Sequence, residues 1–245
     1  MVKGGAFLVT KRRIWIPGAS YHITNRGNHK EDIFLEEVDY YIYLSLIKNT
    51  LHFYKEYNYK LISYCLMKNH VHMLLKTDKY DPSYFMRRLS SMYAKYFNNK
   101  YECVGHLFQG RYYSNTITSV IELLEVSRYI HLNPVRANIT KLPEEYRWSS
   151  YNRILDDIDA RANIKDYKNN KSKRNKYKID VASEEIIELL DIYLLVEENS
   201  IQNIKTRVER KIQNSKEKYK QYVESKIETM WLPAGSIQFL DWPRR

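Results

Sequence analysis

Two histidines separated by one residue are the first candidates for chemistry in this chain. His70 and His72 flank Val71 in the segment HVHMLLK, which is rich in strand-forming apolar residues. Side chains at i and i+2 of a β-strand point to the same face, so the two imidazoles would lie close together. Such a pair can share a divalent metal ion, but two histidines on one sheet face are more often structural. A further ligand from another segment would favour the metal site.

The segment SRYIHLNPVRA supplies a candidate ligand and a candidate nucleophile. Tyr129 and Asn133 are four residues apart and so share one face of a predicted helix. An amide oxygen is a suitable ligand for a hard metal ion, and a tyrosine hydroxyl one turn away would point at the same metal-bound group. Both residues also have structural explanations, because the chain contains 23 tyrosines and an Asn before Pro commonly ends a helix.

The elements that must position these side chains alternate between strand and helix signals. We predict strands at residues 14–24, 59–67, 70–76 and 111–117, and helices at 37–57, at 81–97 and after residue 119. Lys68 and Asn69 form the turn of a hairpin between the central strands, and Pro134 stops or kinks the third helix. The order βαββαβ followed by a helix predicts an α+β, ferredoxin-like antiparallel sheet with helices on one face.

Composition and charge limit the class of protein and its partners. Hydrophobic residues make up 44% of the chain and charged residues 28%, so it can bury a core. The net charge of +11 predicts a polyanionic partner, either nucleic acid or an anionic membrane surface. Cys65 and Cys103 cannot build a disulfide framework and indicate a reducing compartment. No apolar run approaches the roughly 18 residues of a spanning helix, so we expect a cytoplasmic protein.

Several motifs in register give the chain a family resemblance. They are PGASYHITNRGN near the start, SYCLMKNHVH around the paired histidines, GHLFQGRYYS, RYIHLNPVRA and the later YRWSSY. From about Ile14 to Tyr151 they resemble the REP-associated tyrosine transposases of the single-tyrosine HUH transposase superfamily. Conjugative relaxases and rolling-circle initiators often carry a third histidine or two catalytic tyrosines. Residues 73–76 contain no further histidine, so the single-tyrosine subgroup fits better.

The resemblance implies a metal-dependent endonuclease and strand transferase that acts on single-stranded or hairpin DNA. In the family's arrangement, His70 and His72 bind a divalent cation, Mg²⁺ or Mn²⁺, and Asn133 takes the position of the third ligand. Tyr129 attacks the scissile phosphate, releases a 3′-OH and stays attached to the 5′ end as a phosphotyrosine. A phenol is mostly protonated at neutral pH and needs a nearby cation or base to react. Because the phosphotyrosine retains the phosphodiester energy, a 3′-OH can reverse the attack without ATP.

The matched motifs also predict the residues that contact DNA, namely Arg26, Lys68, Gln109, Arg111, Tyr112 and Tyr113. The first four offer hydrogen-bond donors to phosphates or base edges, and the two tyrosines can stack on bases. It stays equally open that one of the adjacent tyrosines is buried and the other lies on the surface. His22, on the first strand, is predicted to have a structural or supporting role.

The same resemblance divides the chain into regions. We predict a transposase domain at residues 1–151, a basic linker at 152–181 and a helical accessory region at 182–245. All seven histidines lie in the first region, so we expect the accessory region to add DNA affinity and not chemistry. Monomer and homodimer both remain open.

Two other classes of function stay open from the sequence. A ferredoxin-like sheet with aromatic residues and positive charge is typical of non-catalytic modules that bind single-stranded DNA or RNA, although the consensus aromatic strand of such modules is missing. A metal-dependent phosphodiesterase that activates water would use the same histidines and treat Tyr129 as scaffold. A covalent protein–DNA adduct would distinguish the transposase from both.

Overall fold

The computed structural model describes residues 15–154 and 217–227 of the chain. Its main elements, in chain order, are β1 (Ser20–Arg26), α1 (Glu37–Phe53), β2 (Lys60–Met67), β3 (His70–Lys76), α2 (Pro82–Tyr101), β4 (Tyr113–Ile117) and α3 (Val120–Arg136). The strands form one four-stranded sheet in the order β2-β3-β1-β4, and all neighbouring strands are antiparallel. The predicted ferredoxin-like α+β fold is therefore confirmed.

The two helices inside the βαββαβ unit lie on one face of the sheet, and the helix that follows the unit lies on the other. Asn25 of β1 donates a hydrogen bond to Ser90 of α2 at 3.0 Å. His22 of the same strand contacts Tyr129 of α3, with 5.7 Å between the ring centroids. Because odd- and even-numbered residues of a strand point to opposite faces, α2 lies on one face and α3 on the other. Helix α1 packs against α2, so the two helices inside the βαββαβ unit share one face, and α3, which follows the unit, covers the opposite one.

Short polar side chains cap the helices where the sequence predicts them. The Asp81 carboxylate accepts a hydrogen bond from the backbone N–H of Ser83 at 2.6 Å, and Pro82 is the first residue of α2. The Ser119 hydroxyl accepts one from the backbone N–H of Glu122 at 3.1 Å at the start of α3. Such a cap typically stabilises a helix by about 1 kcal/mol. The caps therefore fix where the helix that carries Tyr129 begins.

The ends of several elements differ from the sequence predictions. Strand β1 begins at Ser20 and continues through Arg26, and α1 ends at Phe53 before a short 3₁₀ turn at Lys55–Tyr57. Pro134 does not stop α3, which continues to Arg136. A proline removes one backbone donor and so leaves the carbonyl four residues earlier without its helical partner.

A buried carboxylate ties α1 to α2. Asp39 accepts hydrogen bonds from the Lys100 ammonium at 2.8 Å, the Tyr96 hydroxyl at 2.8 Å and the Tyr101 hydroxyl at 2.7 Å. Two backbone N–H groups at the start of α1 also donate to it. Burial alone would raise the pKa of Asp39, but these donors outweigh burial and lower that pKa to about 2. The group therefore stays charged and bonded at neutral pH.

Helical residues 217–227, hereafter the C-terminal helix, pack on the same core. Tyr219 and Val223 are fully buried. The predicted linker from residue 155 onward and most of the accessory region lie outside the described residues, and the boundary at residue 151 stays a prediction. In the described part of the chain, no helix combines the length and apolar character needed to cross a membrane.

Candidate active site

The paired histidines lie at the start of β3, an interior strand of the sheet. The ring centroids of His70 and His72 are 4.9 Å apart. Strand pairing sets Arg26 of β1 opposite His70 and Thr24 opposite His72. The two-residue spacing along β3 thus brings both imidazoles together. Arg26 and Thr24 of β1 are their neighbours on the adjacent strand.

Hydrogen bonds hold one nitrogen of each imidazole and leave the other available. The Nδ1 atom of His70 lies 2.6 Å from the Asn69 amide oxygen. The Nδ1 atom of His72 lies 3.1 Å from the Thr24 hydroxyl and 3.1 Å from Nε2 of His22. Neither Nε2 atom of the pair makes a hydrogen bond within the described residues. Metal-binding histidines are usually held in this way through their second nitrogen, so the pair fits a divalent cation.

The surroundings keep these imidazoles neutral at physiological pH. Burial lowers the pKa of His22 to about 4. Burial, followed by the positive charge of Arg26, lowers the pKa of His70 to about 4. Burial also lowers the pKa of His72 well below its usual value, with smaller contributions from the two other histidines and from Arg26. Because only a neutral imidazole has the lone pair that binds a metal, all three rings are in the ligating form.

Helix α3 brings Tyr129 onto the histidines. Its half-buried ring makes edge contacts with His22 and His72, with 5.7 Å between the centroids in each case. The guanidinium carbon of Arg136 lies 4.8 Å from the centre of the Tyr129 ring. The candidate nucleophile and the candidate metal ligands, 57 residues apart in the sequence, therefore meet at one place.

Asn133 lies one turn after Tyr129 and uses its amide nitrogen inside the helix. That nitrogen donates to the carbonyl of Tyr129 at 2.8 Å and to the carbonyl of Ile130 at 3.4 Å. Ile130 is four residues before Pro134, so Asn133 bonds the carbonyl that the proline leaves without a donor. This side-chain hydrogen bond replaces the missing backbone bond and explains how α3 continues past Pro134. It also turns the amide oxygen away from these carbonyls, so that this oxygen makes no hydrogen bond within the helix.

The third metal ligand stays a prediction. Within residues 15–154 and 217–227, no hydrogen bond joins Asn133 to either histidine of the pair, and its amide oxygen accepts none. The described residues also contain no group of three or more His, Cys, Asp or Glu side chains that could hold a metal ion. A complete ligand set at this place therefore needs a donor of another type, and an amide oxygen is one.

Two of the predicted DNA contacts lie directly beside the histidines. Arg26 is half-buried opposite His70, and its Nε atom is buried without a hydrogen-bond partner among the described residues. A buried guanidinium nitrogen in this state is suited to an anionic oxygen. Lys68 precedes the pair in the hairpin turn, and its ammonium lies 2.7 Å from the carboxylate of Asp32. Lys68 is thus held by an ion pair, whereas Arg26 offers an open donor.

The remaining predicted contacts lie on the segment before β4. Gln109 and Arg111 are exposed, and the backbone N–H of Gln109 donates to the carbonyl of Arg26 at 2.9 Å. Tyr112 is buried, with 8% of its surface exposed, whereas Tyr113 is 47% exposed. The alternative of one buried and one surface tyrosine is therefore the observed one. Only the Tyr113 ring lies open to a stacking base.

A cavity of about 670 Å³ opens between α2 and this segment. The described residues that line it include no Asp or Glu, and its basic and polar members include Arg87, His106, Gln109, Arg111 and Ser90. Its wall is joined to the end of β1 by the bond between Gln109 and Arg26. The cavity is therefore a positively charged space on the α2 side of the sheet, connected to the end of β1 through the bond to Arg26.

Sequence reasoning missed two residues that the structure brings to the site. Thr24 holds Nδ1 of His72, and Arg136 lies over the Tyr129 ring. Thr24 lies two residues after His22, so the strand period set both on one face. That signal was present in the sequence, but the pairing of β1 with β3 was needed to show what they face.

One family model and two solved structures are similar to parts of this chain. Residues 16–133 match the family model described as "Transposase IS200 like". No curated protein sequence matches the chain. A solved structure of the REP-associated tyrosine transposase bound to a REP hairpin is 17% identical with a TM-score of 0.49, over 60% of this chain and 84% of that one. A candidate transposase from Deinococcus radiodurans is also 17% identical, with a TM-score of 0.35, over 50% of this chain and 95% of that one.

Proposed function

Because residues 16–133 match the IS200-like transposase family, we propose that the chain cuts and rejoins single-stranded DNA through a covalent bond to Tyr129. The enzyme class predicted from the motifs, a transposase, is confirmed by this match. The observation that carries the proposed chemistry is the edge contact of Tyr129 with His72, whose Nε2 atom makes no hydrogen bond in the described part of the chain. A nucleophile beside a pair of imidazoles suits transfer of a phosphoryl group better than binding alone.

The reaction exchanges one phosphate ester for another. The Tyr129 hydroxyl loses its proton and its oxygen forms a bond to phosphorus, while the bond from phosphorus to the 3′ oxygen breaks. The departing 3′ oxygen takes up a proton and becomes a hydroxyl. No water is consumed, so a 3′-OH can attack the tyrosine ester in reverse and rejoin a strand.

A divalent cation and the Arg26 guanidinium would both hold the scissile phosphate. His70 and His72, with Asn133 as the predicted third ligand, would hold a divalent cation, Mg²⁺ or Mn²⁺, which supplies Lewis-acid stabilisation of the phosphate charge. Arg26 would donate to a phosphate oxygen, because its buried Nε atom is unbonded and strand pairing sets it opposite His70. Binding a phosphate would satisfy this donor.

We propose that the strand on one side of the cut runs toward the charged cavity on the α2 side of the sheet. Its basic and amide side chains, among them Arg111 and Gln109, can bond phosphates and base edges, and Tyr113 offers an exposed ring for stacking. A stacked duplex cannot enter such a space without unpairing. We therefore propose single-stranded or hairpin DNA as the substrate, and expect little cleavage of a continuous duplex.

The test is to look for a covalent protein–DNA product. The full chain is incubated with Mn²⁺ and with labelled single-stranded oligonucleotides from the flanks of its own gene, and the products are separated on a denaturing gel. We expect an adduct with the wild type and with Tyr113→Phe, and none with Tyr129→Phe. Tyr113→Phe is a matched control, since it removes the hydroxyl of an exposed tyrosine outside the contact with the histidines.

The same gel separates the other two classes of function. Binding without any cut product would favour a non-catalytic nucleic-acid module. Metal-dependent cut strands without attached protein would favour a phosphodiesterase that uses water. An undiminished adduct with Tyr129→Phe would show that another tyrosine is the nucleophile.

A further inference from the structure

The helix that carries Tyr129 is held from behind by the C-terminal helix. His131 lies two residues after Tyr129 and two before Asn133, which is about 200° around a helix, so it points away from the histidine site. Ser127 is four residues before His131 and lies on the same rear face. Both residues are fully buried. The rear face of α3 is therefore polar, buried and in need of partners.

Tyr219 of the C-terminal helix supplies those partners. Its hydroxyl lies 2.7 Å from Nδ1 of His131 and 3.0 Å from the Ser127 hydroxyl. On the other side of the imidazole, Nε2 of His131 lies 2.8 Å from the Ser150 hydroxyl. Ser150 in turn accepts a hydrogen bond from the backbone N–H of Tyr64 in β2 at 2.9 Å. A continuous chain of buried bonds thus joins the C-terminal helix, α3 and the sheet.

One set of hydrogen positions satisfies every member of this chain. Ser127 donates to Tyr219, Tyr219 donates to Nδ1 of His131, and Nε2 of His131 donates to Ser150. Ser150 then donates to the carbonyl of Tyr64 at 3.3 Å. This arrangement needs a neutral imidazole, and burial lowers the pKa of His131 to about 3. A fully satisfied buried network favours one relative position of the elements that share it.

Contacts around the network keep the C-terminal helix in place. The Arg128 guanidinium carbon lies 4.3 Å from the centre of the Tyr222 ring, and Val223 is fully buried in the core. The Lys220 ammonium lies 2.9 Å from the carboxylate of Glu144. The helix is therefore attached by apolar, aromatic and ionic contacts, and the Tyr219 side chain on it is fully buried.

We propose that Tyr219 is a positioning residue for the strand-cutting reaction, which it serves by holding α3 so that Tyr129 is aligned with the phosphate. This inference rests on the proposed function. In-line attack depends on the placement of the nucleophile, and a displacement of about 1 Å can lower a rate by about 100-fold. Tyr219 contacts the face of α3 opposite Tyr129. It therefore affects the rate of the chemical step and not the affinity for DNA. The proposal differs from the expectation that the accessory region adds DNA affinity and not chemistry, and the experiment decides between them.

The experiment compares three variants of the full chain. We expect the rate of adduct formation in a single turnover, with saturating oligonucleotide and Mn²⁺, to fall about tenfold or more in Tyr219→Ala and less in Tyr219→Phe. The dissociation constant for the oligonucleotide should stay within about twofold. Tyr222→Phe is the control, because the Tyr222 hydroxyl donates to Glu125 at 3.3 Å and not to His131 or Ser127, and this variant should react at the wild-type rate.

Hydrogen exchange tests the positioning without any need for activity. The amides of α3 should exchange faster in Tyr219→Ala than in the wild type, while those of β2 and β3 keep their wild-type rates. Any one of three results would overturn the inference. They are wild-type reaction rates in both Tyr219 variants, a loss of DNA affinity as large as the loss of reaction rate, and faster exchange throughout the sheet. If Tyr219→Ala does not fold, Tyr219→Phe decides, because it keeps the ring and loses only the hydroxyl. A wild type without an adduct would refute the proposed function, while the exchange result would still report on the hold on α3.

Discussion

Replacing Thr24 with valine should weaken metal binding while leaving both predicted histidine ligands in the chain. The Thr24 hydroxyl lies 3.1 Å from Nδ1 of His72. When Nε2 of a neutral imidazole binds a metal, the proton lies on Nδ1 and needs an acceptor. Valine keeps the size and β-branching of threonine but cannot accept that bond. The change therefore removes one hydrogen bond from behind the ligand and no ligand atom.

The size of the effect follows from how many acceptors His72 has. Loss of such a supporting bond typically lowers metal affinity by about 10- to 100-fold. Nδ1 of His72 also lies 3.1 Å from Nε2 of His22, so a second acceptor remains in the variant. We therefore expect a loss near the lower end, about tenfold, which corresponds to about 1.4 kcal/mol. Combining Thr24→Val with His22→Phe removes both acceptors and should approach about 100-fold.

The assay is titration of the protein with Mn²⁺. Calorimetry measures the Mn²⁺ affinity, and a separate titration measures the Mn²⁺ concentration at half-maximal adduct formation. Both should shift together. Thr77→Val is the control, since the Thr77 hydroxyl donates to a backbone carbonyl at 3.2 Å and the residue lies just beyond the far end of β3 from His72. An unchanged Mn²⁺ affinity in the double variant would refute the reasoning that these bonds hold the ligand.

Three further predictions follow from the described residues. Replacing His72 with alanine should abolish Mn²⁺-dependent adduct formation, whereas Asn133→Ala should weaken the metal dependence less, because a neutral amide is the poorer ligand; full activity of either protein in EDTA would contradict this. The pKa of Asp39 lies near 2 in the folded chain against an ordinary 3.8, so its contribution of about 2 kcal/mol is present above pH 4 and is lost as the pH falls from 4 to 2. Urea unfolding across this pH range should show that loss in the wild type and not in Asp39→Asn. Gly27→Ala should destabilise the fold, because the new Cβ would lie 2.1 Å from the carbonyl oxygen of Glu31, and the midpoint of thermal unfolding should fall.

Local sequence patterns were enough for the features that depend on direction within one element. The two-residue spacing of His70 and His72 determined that they share a face, and the four-residue spacing of Tyr129 and Asn133 did the same on α3. The caps of α2 and α3 were readable because a capping side chain bonds a backbone group only two or three residues away. The order of these elements was enough to predict the ferredoxin-like sheet. Together with the motifs it was enough to predict a transposase.

Tertiary structure alone decided which side chains meet across elements. Thr24 reaches His72 because β1 pairs with β3 in one particular register, and a shift of one residue would turn it to the other face. Tyr219 reaches His131 across 88 residues of sequence because the C-terminal helix packs against the rear of α3. Periodicity states where a side chain points but not what lies there. That depends on which distant surfaces exclude water together, and the packing of the whole chain determines it.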